Sequence, residues 1–389
     1  MRFISIACRV PAVERKGDQV VAFQHLSYLV ERGHFVDIIC FGNEANCDEN
    51  NAKLKLESLG INVHFVKWSL VEATINVLFA FFSTMPLQCA LFKSKRFFDK
   101  FEEILGQKDI NAVHCVLARA VVNAKGYSGP LYVDLIDSMY LNFWRRSASK
   151  AGFLGWLLKI ETSRVKKFEF SLAERSKKAF VVSEVDRATI ASTHVEAIPI
   201  GVDFSRFSGN REIPLHPVIV FTGNMNYGPN IEAILWFVKN CWPEVKRQQN
   251  YATLVIAGSN PSKKIRNLTL ACSAITVTGR VPSIAEIYLK STLAIAPMQS
   301  GSGMQFKLLE AMACSIPVVT TNIGLEGIEA IPGREILIAD NPQLFVKHVL
   351  SLIDSRDLNL NVGGKGQAFV TLNHDWRSIN QKFYSRLFS

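Results

Sequence analysis

Leu-Ala-Ile-Ala-Pro-Met-Gln-Ser-Gly-Ser-Gly-Met-Gln-Phe-Lys-Leu-Leu-Glu-Ala-Met-Ala, residues 293–313, reads as a strand, a glycine turn and a helix in immediate succession. Leu293 to Pro297 is a short apolar run of strand type. Gly301 and Gly303 permit backbone shapes that other residues resist. Leu308, Leu309 and Met312 recur at helical period, which predicts a helix from about Met304. Strand, turn and helix in this order form the repeating unit of a doubly wound α/β fold. They also make an anion site: the first N–H groups of the helix are unpaired and its positive end faces the turn, so a diphosphate can be held there without a metal. Lys307, in the first helical turn, adds a full charge. Glu310, two turns in, is placed to accept hydrogen bonds from vicinal hydroxyls such as those of a ribose, although a helical Glu with no ligand would simply face solvent.

The same alternation extends to both ends of the chain. Phe3 to Ala7, a helix from about Gln19 to Arg32 and Val36 to Phe41 form a βαβ opening, with Asp18 expected at the N-cap and Gly33 as the stop. Further strands are expected at Asn62 to Val66, Ala112 to Val116, Leu131 to Leu135, Ala179 to Val182 and Glu196 to Ile198. Ile198 to Asp203 breaks the pattern with Pro and Gly. A second series follows: Val218 to Thr222, Thr253 to Ala257, Ile275 to Thr278, Leu293 to Pro297, Val318 to Thr320 and Ile336 to Ile338. The expected organisation is therefore two Rossmann-like α/β/α domains, 1–203 and 204–372, facing a central cleft, with a helix in 373–389 crossing back to the first.

Composition agrees with a folded two-domain protein: 389 residues, 48% hydrophobic and 20% charged. The eight cysteines show no Cys-x-x-Cys pairing or His partner at metal-ligand spacing, so buried free thiols in a reducing, cytoplasmic compartment are expected. The N-terminus reads as a first strand rather than a leader. Net charge is +10, and residues 145–178 hold ten Lys or Arg against three Glu.

Such a basic stretch suits nucleic acid, anionic lipid or an anionic substrate, or is a solvated helix without specific meaning. No nucleic-acid-binding pattern accompanies it. Trp144, Phe153, Leu154, Trp156, Leu157 and Leu158 lie among Arg145, Arg146, Lys150 and Lys159, the mixture of an interfacial membrane segment on the inner face of the cell membrane. A second apolar stretch, Ile75 to Phe92, is interrupted by Pro86 and polar residues, so it should not span a bilayer. It either dips into one leaflet or is a core helix.

Taken together, residues 298–313, Arg9-Val10-Pro11 with Lys16-Gly17-Asp18, Asp134 to Ser138, Val182-Ser183, Ile198 to Asp203, Phe221 to Tyr227, Gly279 to Pro282 and Gly324 to Gly327 resemble the retaining group 1 (family four) glycosyltransferases of GT-B architecture. Among them, the chain is most similar to bacterial exopolysaccharide and exosortase-associated sugar transferases. The resemblance implies a metal-independent transferase of hexosyl type that uses a UDP or GDP sugar as substrate and needs no cofactor. Its acceptor would be a saccharide, lipid-linked or free.

By position, Glu310 would hold the ribose hydroxyls, Arg280 and Val281 the base, and Gly301, Ser302, Gly303, Met304 and Gln305 the diphosphate and sugar. Gly223 and Asn224 would border the donor, and Gly17 would approach its phosphate. Asp137 and His114, which follow strands of the first domain, are candidates to meet the acceptor hydroxyl, or else a buried or capping carboxylate and a satisfied core histidine; Lys307 would help stabilise the leaving diphosphate. The chain departs from the family in two respects: Ser302 stands where many relatives carry a first glutamate, and Asn224 and Asn226 stand where many carry Arg and Lys. Two alternatives share the pattern, a nucleotide-sugar epimerase of similar fold and a non-catalytic membrane-associated partner of another transferase.

Overall fold

The computed structural model describes residues 1–13, 16–148, 152–207, 209–301 and 303–389. The chain forms two compact units, Met1–Pro199 with Asn380–Ser389, and Ile200–Ile379.

The first unit is built on seven parallel strands: β1 (Arg2–Ala7), β2 (Phe35–Phe41), β3 (Ile61–Val66), β4 (Ala112–Val116), β5 (Leu131–Ile136), β6 (Lys178–Val181) and β7 (Val195–Ala197), ordered 3-2-1-4-5-6-7. β4 is buried along its whole length and β1 along all but its first residue, because helices cover both faces. Apolar runs such as Phe3-Ile4-Ser5-Ile6-Ala7 are therefore continuous rather than alternating. The core joins Ile4, Ile6, Val113, Cys115 and Val133 to Phe97 and Phe101 of the helix Lys95–Gln107.

The helix Gly17–Glu31 begins earlier than its pattern indicates. Lys16, not Asp18, is the N-cap, and Gln19 Oε1 accepts from its N–H at 3.4 Å. Asp18 is used otherwise: Arg9 Nη1 donates to both of its oxygens, at 2.8 and 3.0 Å.

Residues 380–389 close the first unit. Phe383, fully buried, stacks on the His25 ring at 3.7 Å between centroids and 6° between planes, and meets Phe180 edge-on at 4.9 Å. Tyr384 adds a contact between its hydroxyl and His34 Nε2 at 3.0 Å.

The second unit holds β8 (Val218–Thr222), β9 (Thr253–Ala257), β10 (Ile275–Gly279), β11 (Leu293–Ala296), β12 (Val318–Thr320) and β13 (Leu337–Ile338), all parallel, ordered 10-9-8-11-12-13. The order reverses between β8 and β11, and at such a switch the loops leaving the carboxyl ends part and leave a crevice. Of the eight cysteines, all free, six are buried.

Candidate functional site

The switch point of the second unit is lined by two loops, Gly223–Tyr227 after β8 and Pro297–Gln305 after β11. The helix Phe306–Ala313 starts two residues later than the sequence indicates, because Gly301 and Gly303 both take left-handed φ values, 116° and 76°, and extend the turn. Gln305 occupies the N-cap; its carbonyl accepts from the Leu308 N–H at 3.0 Å, but its side chain accepts from no N–H of the first turn, so the two N–H groups before Leu308 have no side-chain cap. Met304 and Gly303 are buried and Gln305 is half-buried within this turn. Ser302 lies outside the described residues.

Lys307 does not project from the helix into water. Its ammonium donates to Asn230 Oδ1 at 2.5 Å, approaches Met298 Sδ at 3.6 Å and sits 4.9 Å from the centre of the Phe221 ring. Among the described residues no carboxylate lies within ion-pair distance of it, and desolvation lowers its pKa to about 7.

Glu310, one turn further on, is half-buried and forms no side-chain hydrogen bond among the described residues. Burial raises its pKa to about 7, with Arg206 and Lys307 pulling the other way. Its oxygens are thus left open to a hydrogen-bonding partner from outside the chain.

Asn230 joins the two loops, a role that the sequence does not reveal. Its side chain accepts from Lys307 and donates to the Asn224 carbonyl at 3.1 Å. Ser300 adds a second tie through Glu232. Behind them, Gly223 (φ 145°) and Gly258 (φ 149°) touch so closely that a Cβ on Gly258 would stand 1.7 Å from the Gly223 carbonyl oxygen. Asn224 spends its side-chain oxygen on the Asn226 N–H at 3.0 Å. Arg280, exposed, and Val281, half-buried, follow β10 at the sheet edge, where Gly258 N–H is bonded to the Gly279 carbonyl. The structure thus brings Asn224 and Lys307 together through Asn230, with Gly223 and Gly301 on the same two loops, Glu310 on the helix that follows, and Arg280 and Val281 two strands away.

The first unit has its own opening. A cavity of about 510 Å³ lies at the carboxyl ends of β1 to β3, lined by Arg9, Lys16, Asn43, Glu49, Lys67 and Trp68 among others. Gly17, half-buried, adjoins it as the first residue of its helix.

Asp137 follows β5, half-buried, with its carboxylate accepting from Asn142 at 2.9 Å. Burial and the neighbouring Asp186 raise its pKa to about 6. The residue before it, Ile136, is held at φ 70°, a strained conformation for a β-branched side chain and one that sequence does not disclose.

His114 is a correction. Placed in the middle of β4 and 1% exposed, it touches Ser5 Oγ through Nδ1 at 3.1 Å and Asp134 Oδ2 through Nε2 at 3.1 Å. His25 shares the same carboxylate at 2.7 Å, so His114 belongs to a buried polar network and meets no outside molecule.

Residues 216–355 match the family model of glycosyl transferases group 1. An uncharacterised 44.6 kDa protein in the cps region of Klebsiella pneumoniae is 21% identical, covering 99% of this chain and 98% of its own length. Among solved structures, the sucrose-phosphate synthase of Thermosynechococcus elongatus is similar at a TM-score of 0.75 and 14% identity, covering 100% of this chain and 99% of that one. HepE of Anabaena in complex with UDP is similar at a TM-score of 0.67 and 13% identity, with the same coverage. Over residues 216–355 the chain therefore matches the group 1 glycosyl transferases, and over its whole length it has the GT-B fold of two Rossmann-like α/β/α domains.

Proposed function

We propose that this protein is a glycosyltransferase that moves a sugar from a nucleoside diphosphate sugar, bound at the β8/β11 crevice, to a saccharide acceptor bound by the first unit. One observation carries the reading: the Glu310 carboxylate, half-buried and without a hydrogen-bond donor, follows an uncapped helix N-terminus and a buried lysine. The carboxylate matches the vicinal hydroxyls of a ribose, and the N-terminal amides with Lys307 match a diphosphate. HepE, similar in fold, is a UDP-binding protein by its own description, which supports a UDP sugar as donor.

Catalysis on this reading is positioning and charge stabilisation. Lys307 and the helix N-terminus take up the charge that develops on the departing diphosphate, a task that leaves the reaction independent of a metal. Asp137 meets the acceptor hydroxyl, and a carboxyl group with pKa about 6 is suited to take its proton near neutrality. Retention of anomeric configuration, a hexosyl donor and a lipid-linked acceptor in bacterial exopolysaccharide assembly complete the proposal. They draw on the family resemblance, and the cps-region relative is in keeping with them.

Titration calorimetry with UDP and GDP sugars tests the donor site. Glu310→Gln should weaken the bound donor at least about tenfold, the loss of hydrogen bonds to a charged acceptor. Asp137→Asn should leave that affinity intact and lower release of nucleoside diphosphate by about 10²-fold or more in the presence of acceptor. Unchanged donor affinity in Glu310→Gln would refute the ribose assignment, and full turnover in Asp137→Asn would remove that residue from the mechanism.

A further inference from the structure

Helix Leu70–Ala80 in the first unit is amphipathic in the wrong direction for a packed helix. The side chains it buries are Ala73 and Ala80, while Leu70, Val71, Ile75, Leu78 and Phe79 point outward in rows four residues apart and Phe82 continues them. Phe79 is 74% exposed and Phe82 94%. Single exposed apolar residues are ordinary; a full stripe of large ones marks a surface that is covered in use.

The segment that carries this stripe adjoins the middle of the helix Gly152–Arg175. Arg164 donates to the Phe81 carbonyl at 2.9 Å, and Glu161 accepts from the Leu87 N–H at 2.6 Å. Phe153 (74% exposed) and Trp156 stack on one another at 5.7 Å at the open end of that helix, with Leu154 also exposed. The two elements that carry these apolar surfaces are thus joined by side-chain to main-chain hydrogen bonds.

Charge decides what covers them. Three acids here are engaged by the protein itself: Glu72 binds Ser94 Oγ and Lys95 N–H, Glu161 binds Leu87, and Glu169 accepts from Ser138, Met139 and Tyr140. Lys95 is paired with the exposed Asp99, while Lys93, Arg96, Lys159, Lys166 and Lys167 are also exposed, and residues 145–178 carry ten Lys or Arg against three Glu. An apolar face bordered by this excess of cations complements an anionic bilayer surface. No helix among the described residues is long and apolar enough to cross a membrane, so the segment would lie in the interface.

We infer that the Leu70–Phe82 stripe together with the Phe153–Trp156 end of its neighbour docks this protein on an anionic lipid surface. Trp68, two residues before the stripe, lines the 510 Å³ cavity of the first unit. A lipid-borne molecule held at the docked face is therefore delivered beside that cavity. Docking itself is independent of the transferase reading.

Flotation of the full chain with vesicles of phosphatidylethanolamine containing about 30 mol % phosphatidylglycerol tests it, with pure phosphatidylcholine as control. Partition should be at least about tenfold stronger on the anionic vesicles and should fall in about 0.5 M NaCl. Phe79→Ser with Phe82→Ser should cut it at least about tenfold, and Lys93→Glu with Lys159→Glu should remove its salt dependence. The thermal shift by UDP-glucose, read on the same samples, should not move in either variant, which separates loss of docking from loss of fold or of donor binding. Equal partition on both vesicle types, no binding at low salt, or wild-type partition in the phenylalanine variant would overturn the inference. So would self-association of the wild type, abolished by the same serines, without vesicle binding.

Discussion

Two residues three apart, Lys307 and Glu310, are each brought by desolvation to a pKa of about 7, one from above and one from below. If they hold the donor as proposed, their opposite roles give its binding a pH optimum. The diphosphate of a UDP sugar stays fully ionised near neutrality, so it favours the protonated amine. Above pH 7 the free protein has lost that proton, and binding must recover it, so affinity falls by up to about tenfold per unit. Below pH 7 Glu310 gains a proton and loses acceptor capacity, so affinity falls again. Calorimetry with UDP-glucose over roughly pH 6–9 should show a maximum near neutrality. Lys307→Met should flatten the alkaline limb and Glu310→Gln the acid one; a flat profile in the wild type would remove both groups from donor binding. The identities of these residues were legible because a lysine and a glutamate behind a glycine turn form a local pattern. Asn230, which holds the lysine, was not: its partners Asn224 and Lys307 lie 6 and 77 positions away, and only the fold makes them neighbours. His114 misleads for the converse reason, since a histidine in an apolar run looks the same whether its partner is a substrate or a buried aspartate such as Asp134.

Elements were easier to read than contacts. Parallel strands covered on both faces are forced to be short apolar runs, as in β1, β8 and β11, whereas strands nearer the sheet edges, such as β3 and β10, alternate apolar with polar residues. Helix ends depend on one or two dihedral angles, which is why Lys16 rather than Asp18 caps its helix and why the helix after β11 begins at Phe306. The stretch Ile75 to Phe92 could be read as a core helix or an interfacial one, and the solvent exposure of Ile75, Leu78, Phe79 and Phe82, which a sequence does not print, argues against a core helix. Between elements, the tightest requirement is the crossing of the β8 and β9 loops. Gly258→Ala places a methyl against the Gly223 carbonyl in a backbone conformation that favours glycine, so the second unit should lose about 2–4 kcal/mol, measured by chemical denaturation. A variant as stable as the wild type would mean that the loops separate freely. Donor affinity should fall with it, because Met225, on the β8 loop, is tied to Ser259 and Ser262.

At the scale of the molecule, two units with separate cores should melt as two transitions in calorimetry. Phe383→Ala empties a fully buried aromatic site against His25 and Phe180 and should cost about 3–5 kcal/mol. Only the transition of the first unit should move. The transition assigned to the second can be identified by its upward shift with UDP-glucose, if the donor site lies there. A single transition that falls as a whole would show that the two cores are thermodynamically one.

The seal made by Phe383 also has a consequence in time. Residues 1–199 leave the ribosome first, yet the ring that closes them is translated only after Ile200–Ile379. At about 5–20 residues per second the nascent sheet waits roughly 10–40 s with His25 and Phe180 uncovered. During that interval the young domain offers chaperones a hydrophobic notch that the mature protein no longer has.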